Sequence, residues 1–214
     1  MFIIGITGGS GAGKTTALRV LGRLGALILD CDAIYHELLA SSKEMKTELT
    51  ARFSGIADDE GDIDRKKLGA IVFNDPSALE DLNAITHRYV SRELDDRINS
   101  WEAKGGKIAA VDAIALFESG GDKRCNTVIG VTAPVELRIS RIMKRDSITR
   151  EQAKMRIDAQ KPDDYYTQRC DHMLVALYED PEEFEKVCIA YFEELLRQKH
   201  EIKHPTIDGG KLNG

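Results

Sequence analysis

Near the amino terminus, the run Gly8-Gly9-Ser10-Gly11-Ala12-Gly13-Lys14-Thr15 has the residue types and spacing to hold a polyphosphate. It satisfies G-x-x-x-x-G-K-[ST] without a mismatch. Glycines let the backbone curl until successive amides converge on phosphate oxygens, and the helix that follows aims its positive end at the same point. Lys14 supplies a mobile charge for β and γ phosphates, and the Thr15 hydroxyl can ligate Mg²⁺. The expected nucleotide contacts are therefore Gly8, Gly9, Gly11, Ala12, Gly13, Lys14, Thr15 and Thr16.

Carboxylates and arginines complete the chemistry that such a loop needs. Asp30 and Asp32 follow the apolar run Ala26–Leu29, and Asp112 follows Ile108–Val111. A carboxylate beside a phosphate site holds the metal or accepts the proton of an attacking hydroxyl. An acid just after a strand can also simply cap the next helix, and for Asp30 that reading is at least as good. Asp112 is placed as a Walker-B-like acid and a second candidate metal ligand. Arg138, Arg141 and Arg145 recur at helical spacing after Thr127–Val131, with Arg150 and Arg156 beyond. Arginines there can neutralise charge on a transferring phosphoryl group, or they can form a solvated basic face.

These residues must be brought together by a scaffold. Phe2–Ile6, Ala26–Leu29, Ile108–Val111, Thr127–Val131 and His172–Val175 read as strands. Most are continuously apolar, as in a parallel sheet covered on both faces, so their carboxyl ends should share one crevice. Lys14–Leu24 and Arg65–Phe73 read as helices. A further helix starts at Asp75-Pro76 and runs toward Ile98, with a break expected near His87. Thr149-Arg150-Glu151-Gln152 and Asp180-Pro181-Glu182-Glu183 have capping spacing for two more. The gap between Leu29 and Ile108 is too long for one crossover and reads as a helical insertion.

Composition narrows the setting. The chain has 214 residues, 42% hydrophobic and 31% charged, enough for a core without staples. The net charge of −6 gives no general basic surface for nucleic acid. Four cysteines without a C-x-x-C pair suit a reducing cytoplasm. The apolar start reads as a buried strand rather than a leader, and no run is long enough to span a bilayer.

Taken together, the sequence resembles the dephospho-coenzyme A kinase family over about residues 1–171. Leu29-Asp30-Cys31-Asp32-Ala33-Ile34 looks like that family's D-x-D segment. Gly61-Asp62-Ile63-Asp64-Arg65-Lys66-Lys67-Leu68-Gly69, Val72-Phe73 and His87 look like its substrate-domain signature. Asp112 with Leu116-Phe117-Glu118 resembles its D-x-P-L-L-F-E segment, and Arg141, Arg145-Asp146 and Gln160 resemble its lid. The resemblance implies an α/β P-loop NTPase fold: a parallel sheet flanked by helices, a helical substrate-binding insertion and a helical lid. The implied core is 1–33 and 104–214, the lid about 138–166 and the insertion 34–103. It also implies transfer of the ATP γ-phosphoryl group to the ribose 3′-hydroxyl of dephospho-CoA, with ATP and Mg²⁺ as cofactors. Asp32 would be the general base, Lys14 and Arg141 would act with it, and Arg141 and Arg145 would contact ATP phosphates. Asp32, His87, Asp112, Leu116, Phe117 and Glu118 would face the acceptor. The chain departs from the family pattern at Arg88, Ile114, Tyr166 and Ala176.

Other assignments stay open on the residues alone. A small-molecule P-loop kinase of nucleoside type would carry a similar loop but not the insertion signature. A nucleotide-gated switch would normally carry N-K-x-D, which this chain lacks, and its D-x-x-G match at Asp58–Gly61 follows no strand. A relative that binds nucleotide without turnover is a third possibility. His200 and His204 have i,i+4 spacing but no third ligand nearby, so a fraying helix end is expected there. Residues after Pro205 read as a disordered tail. Cys31, between two acids, is expected to be a poor nucleophile.

Overall fold

The computed structural model describes residues 1–58, 60–178 and 180–203. In chain order the elements are β1 (Phe2–Thr7), α1 (Lys14–Arg23), β2 (Leu27–Asp30), α2 (Cys31–Ser41), α3 (Lys43–Arg52), α4 (Arg65–Val72) and α5 (Pro76–Ala103). They continue with β3 (Ile108–Asp112), β4 (Thr127–Thr132), α6 (Val135–Asp146), α7 (Arg150–Asp158), α8 (Asp163–Thr167), β5 (His172–Val175) and α9 (Pro181–Lys203). The five strands are parallel in the order β2-β3-β1-β4-β5. This is the parallel α/β sheet that the apolar runs predict.

Alternation along the strands feeds two cores. Ile4, Ile6, Ala110, Ile129 and Val131 face a cluster closed by Ala17, Leu18 and Leu21 of α1 and by Phe184, Cys188 and Phe192 of α9. Leu29, Ala109, Val111 and Val128 face the other way, onto Leu94 and Ile98 of α5. Successive residues point to opposite faces of a strand, so a covered sheet needs apolar side chains at every position. Each buried isoleucine contributes about 2 kcal/mol of transfer free energy.

Between β2 and β3, helices α2 to α5 gather around a cluster of their own that includes Leu39, Met45, Leu49, Phe53, Leu68, Val72 and Ile85. Helices α6 and α7 share a small one: Ile139, Ile142, Ala153 and Ile157. Most of these helices start at a side-chain cap. Asp64 accepts from the amides of Lys66 and Lys67, and Asp75 from those of Ser77 and Ala78 with Pro76 at the first position. Thr149 and Gln152 form the reciprocal capping box.

The structure corrects the expected break near His87. Helix α5 runs unbroken for 28 residues, because the position after His87 is Arg88, whose amide keeps the helical ladder, rather than a proline. Among the described residues no helix is long and apolar enough to cross a membrane. The tail expected after Pro205, and His204 of the histidine pair, lie outside the described residues.

Candidate active site

The phosphate loop links the end of β1 to α1 and is held in shape by close approach. A Cβ on Gly8 would lie 2.1 Å from the Val131 carbonyl oxygen, and Gly8 has φ +136°. Gly13, at φ 113°, stands just before α1. The amides that open a helix lack intrahelical partners as a rule and carry the positive end of its dipole, here aimed into the loop. Lys14 folds back over the loop, and its Nζ donates to the Gly8 carbonyl at 2.9 Å. Burial pushes the Lys14 ammonium below its ordinary range, against the opposing pull of Asp112 and Asp32.

The sheet register sets the carboxylates. Asp30 is paired with Asp112, and Asp112 with Ile6 one strand further on, so both acids sit at strand carboxyl ends beside the loop. Asp30 is the N-cap of α2, accepting from the amides of Asp32 and Ala33 at 2.9 and 3.0 Å. The capping alternative thus holds for it, and the cap turns Asp32 onto the first turn of α2. Burial raises the Asp112 carboxyl to about 6, with Lys14 opposing and Asp30 and Asp32 reinforcing. Its Oδ1 is buried and has no hydrogen-bond partner.

A cleft of about 440 Å³ collects Gly9 to Thr15 with Asp30, Asp32, Asp112, Ile114, Arg141 and Arg145. Next to it, a second cavity of about 260 Å³ lies between the end of β3 and helix α5. Its walls include Cys31, Tyr35, Asn83, Thr86, His87, Leu116 and Arg124. Asp32, Ala113 and Ile114 border both spaces. His87 is half-buried, and burial lowers its imidazole, opposed by Glu118. The Cys31 thiol is pushed up to about 12, by burial first and by the neighbouring acids second.

Most of the residues singled out from sequence therefore meet at one crevice. Gly8 takes part through its carbonyl, and the amide of Thr16 donates to the Gly13 carbonyl inside the first turn. Leu116 is at once a cavity wall and a core side chain. Phe117 and Glu118 are not among the residues lining the two cavities. Phe117 packs edge-on against Tyr165, 6.1 Å between centroids, and the Tyr165 phenol is raised by burial first and by the neighbouring Glu118 second.

The arginines divide sharply. Arg141 spans the loop and the segment after β5: its Nη1 donates to the Gly11 carbonyl at 3.0 Å and its Nη2 to the Tyr178 carbonyl at 2.7 Å. Arg145 is exposed and paired with Asp146, which also takes Arg156. Arg138 does not lie on the solvated face that one sequence reading allowed, since it is only 3% exposed and bonded to the phosphate loop. The signal for it was its place between Leu137 and Ile139 in the first turns of α6, where an isolated cation must find buried partners.

The positions that depart from the family pattern lie in different surroundings. Ile114 stands at the border of the two cavities, and Arg88 pairs with Glu48 across the insertion. Tyr166 is buried against Tyr165. Ala176 is buried, and its Cβ lies 3.4 Å from where a Gly13 side chain would start.

Among the described residues no cluster of three or more His, Cys, Asp or Glu side chains could enclose a metal. Thr15 and the unpartnered Asp112 oxygen fit a different mode, in which an ion of Mg²⁺ type keeps most of its waters and phosphate ligands and takes one or two from protein.

Comparison with known proteins gives the same answer over most of the chain. The family model described as dephospho-CoA kinase matches residues 2–177. A dephospho-CoA kinase from Dehalococcoides mccartyi is 40% identical over 164 residues, which are 76% of this chain and 82% of that one. A solved structure from Thermus thermophilus superposes with a TM-score of 0.73 at 32% identity, covering 91% of this chain and 97% of its own. The structure of a dephospho-CoA kinase from Campylobacter jejuni follows with a TM-score of 0.67 at 26% identity, covering 92% and 98%. With the family model matching residues 2–177 and a relative 40% identical over 76% of the chain, the chain belongs to the dephospho-CoA kinases.

Proposed function

We propose that this chain transfers the γ-phosphoryl group of ATP to the ribose 3′-hydroxyl of dephospho-CoA. The observation that carries the reading is the shared wall: Asp32 borders both the phosphate cleft and the second cavity. A hydroxyl held from the second cavity would approach a phosphoryl group held in the first. Family membership supports the identity of the acceptor.

Phosphoryl transfer needs alignment and charge neutralisation more than covalent chemistry. The amides of Gly11 to Thr15 and the ammonium of Lys14 would hold the β and γ phosphates. To meet them, Lys14 must exchange the Gly8 carbonyl for phosphate oxygens. Asp32 would take the proton from the attacking hydroxyl as the O–P bond forms and the bond to ADP breaks. Arg141 and Arg145 would offset the charge that accumulates on the bridging and terminal oxygens. Thr15 and Asp112 would hold Mg²⁺, which when bound supplies further neutralisation of the triphosphate.

In this reading residues 34–103 are the acceptor-binding insertion, 138–166 a lid that excludes water on closing, and 1–33 with 104–214 the nucleotide core; the clusters proper to α2–α5 and to α6–α7 support it, while Ile34, Leu94 and Ile98 of the insertion also pack on the sheet. The described cysteines are all unpaired, which supports a cytoplasmic setting. Incubation with Mg-ATP and a panel of acceptors, followed by ADP release and phosphate analysis, tests the reading. ADP formed with dephospho-CoA, and not with nucleosides or sugars, is the expected result. Turnover of a nucleoside alone would reassign the acceptor, and turnover of none would leave a binding protein.

A further inference from the structure

Arg138 has no counterpart in the chemistry described so far, yet it is among the most buried charged side chains of the described residues. It rises from α6 and ends against the phosphate loop. Its Nε donates to the Ser10 carbonyl at 3.0 Å, its Nη2 to Gln160 Oε1 at 3.2 Å and its Nη1 to Asp163 Oδ1 at 3.2 Å. Gln160 in turn accepts from the Ser10 amide at 2.8 Å and donates to the Ser10 hydroxyl at 2.7 Å. The second Asp163 oxygen is anchored by the Thr132 hydroxyl at 2.8 Å, at the end of β4.

All three polar groups of Ser10 are therefore held by two side chains from a segment about 130 to 150 residues away. The contact is also steric. A Cβ on Gly9 would lie 2.1 Å from Arg138 Nη2, and one on Gly11 would lie 2.7 Å from the Arg138 carbonyl oxygen. So the glycines flanking Ser10 leave room for this arginine as well as for phosphate.

We infer that Arg138 is a positioning residue for nucleotide binding: with Gln160 it clamps Ser10, fixing the phosphate loop in its receptive curve before ATP arrives. This rests on the reading of the loop as an ATP site and deepens it. A loop already curved loses less conformational freedom on binding, so the clamp acts on nucleotide affinity and leaves the acceptor cavity alone. Arg138 does not touch the reacting atoms; its effect passes through Ser10. Because Arg138 and Gln160 act through the same residue, losing one should remove most of what losing the other would.

The test compares wild type with R138A, R138K, Q160A and the double variant R138A/Q160A, each shown to be folded by near-ultraviolet circular dichroism at the assay temperature. Mg-ATP affinity is read by titration calorimetry, and KM for ATP and for dephospho-CoA by steady-state kinetics. R138A should weaken Mg-ATP binding ~10-fold and raise KM for ATP in parallel, with KM for dephospho-CoA within ~2-fold of wild type. R138K, able to reach only one acceptor at a time, should fall between, and it carries the test if R138A does not fold. The double variant should be no weaker than ~2-fold below the worse single variant. A folded R138A or R138K with wild-type affinity for Mg-ATP overturns the inference, and so do fully additive losses or equal rises in both KM values. Failure of the wild type itself to bind Mg-ATP would overturn the underlying ATP reading instead.

Discussion

At the scale of single residues, the site is built from charges that burial makes uncomfortable. Asp112 is the clearest case, a strand-end carboxyl raised to about 6 with an oxygen that nothing satisfies. In the unfolded chain the same group titrates near its ordinary carboxylate value, so between about pH 4 and 6 the folded state binds more protons. Stability of the ligand-free protein therefore falls as pH rises through that window, and the penalty is complete above it. Asp112→Asn should be close to neutral at pH 4 and more stable than wild type by ~2 kcal/mol at pH 7.5, read from urea unfolding at both values. The same variant should lose Mg²⁺-dependent ATP affinity. The chemistry at this scale was largely legible, because G-x-x-x-x-G-K-[ST] and the acids after strands are local patterns. For Arg138 only its place among the apolar residues of α6 was legible; what it binds was not, since Ser10, Gln160 and Asp163 are remote in the chain and no local spacing points to them.

Secondary-structure elements place these groups by a few well-defined stops and starts. The apolar runs predicted all five strands; His172–Val175 is observed as expected, and the other four end one residue later because polar Thr7, Asp30, Asp112 and Thr132 still pair with neighbours. Continuity of α5 was missed because a histidine and an arginine midway say nothing about a helix whose apolar face is buried on two cores. The joint between α6 and α7 carries a local conflict that the sequence hides. Ser147 caps α6 in the left-handed region at φ 53°, where a side chain is disfavoured and glycine is not. Ser147→Gly should stabilise the protein by ~0.5–1 kcal/mol and raise Tm by ~1–4 °C, measured by calorimetry. An unchanged or lowered Tm would mean that the Ser147 side chain makes up for its backbone.

At the scale of the whole molecule, topology does what no element does alone. Strand order β2-β3-β1-β4-β5 puts β1 and its phosphate loop at the centre, with the acids of β2 and β3 on one side and the arginines after β4 on the other. The insertion between β2 and β3 then hangs over the acidic side, and its helix α5 closes the second cavity against the end of β3. Asp32 stands where the two spaces meet, and the account of phosphoryl transfer stands on that position. The most direct measurement is single-turnover transfer from Mg-ATP to dephospho-CoA by Asp32→Asn, alongside its affinity for Mg-ATP. The account predicts ATP binding within ~3-fold of wild type and a transfer rate lower by ~10²–10⁴, the usual contribution of a general base. A rate equal to wild type, with ATP binding intact, would contradict it.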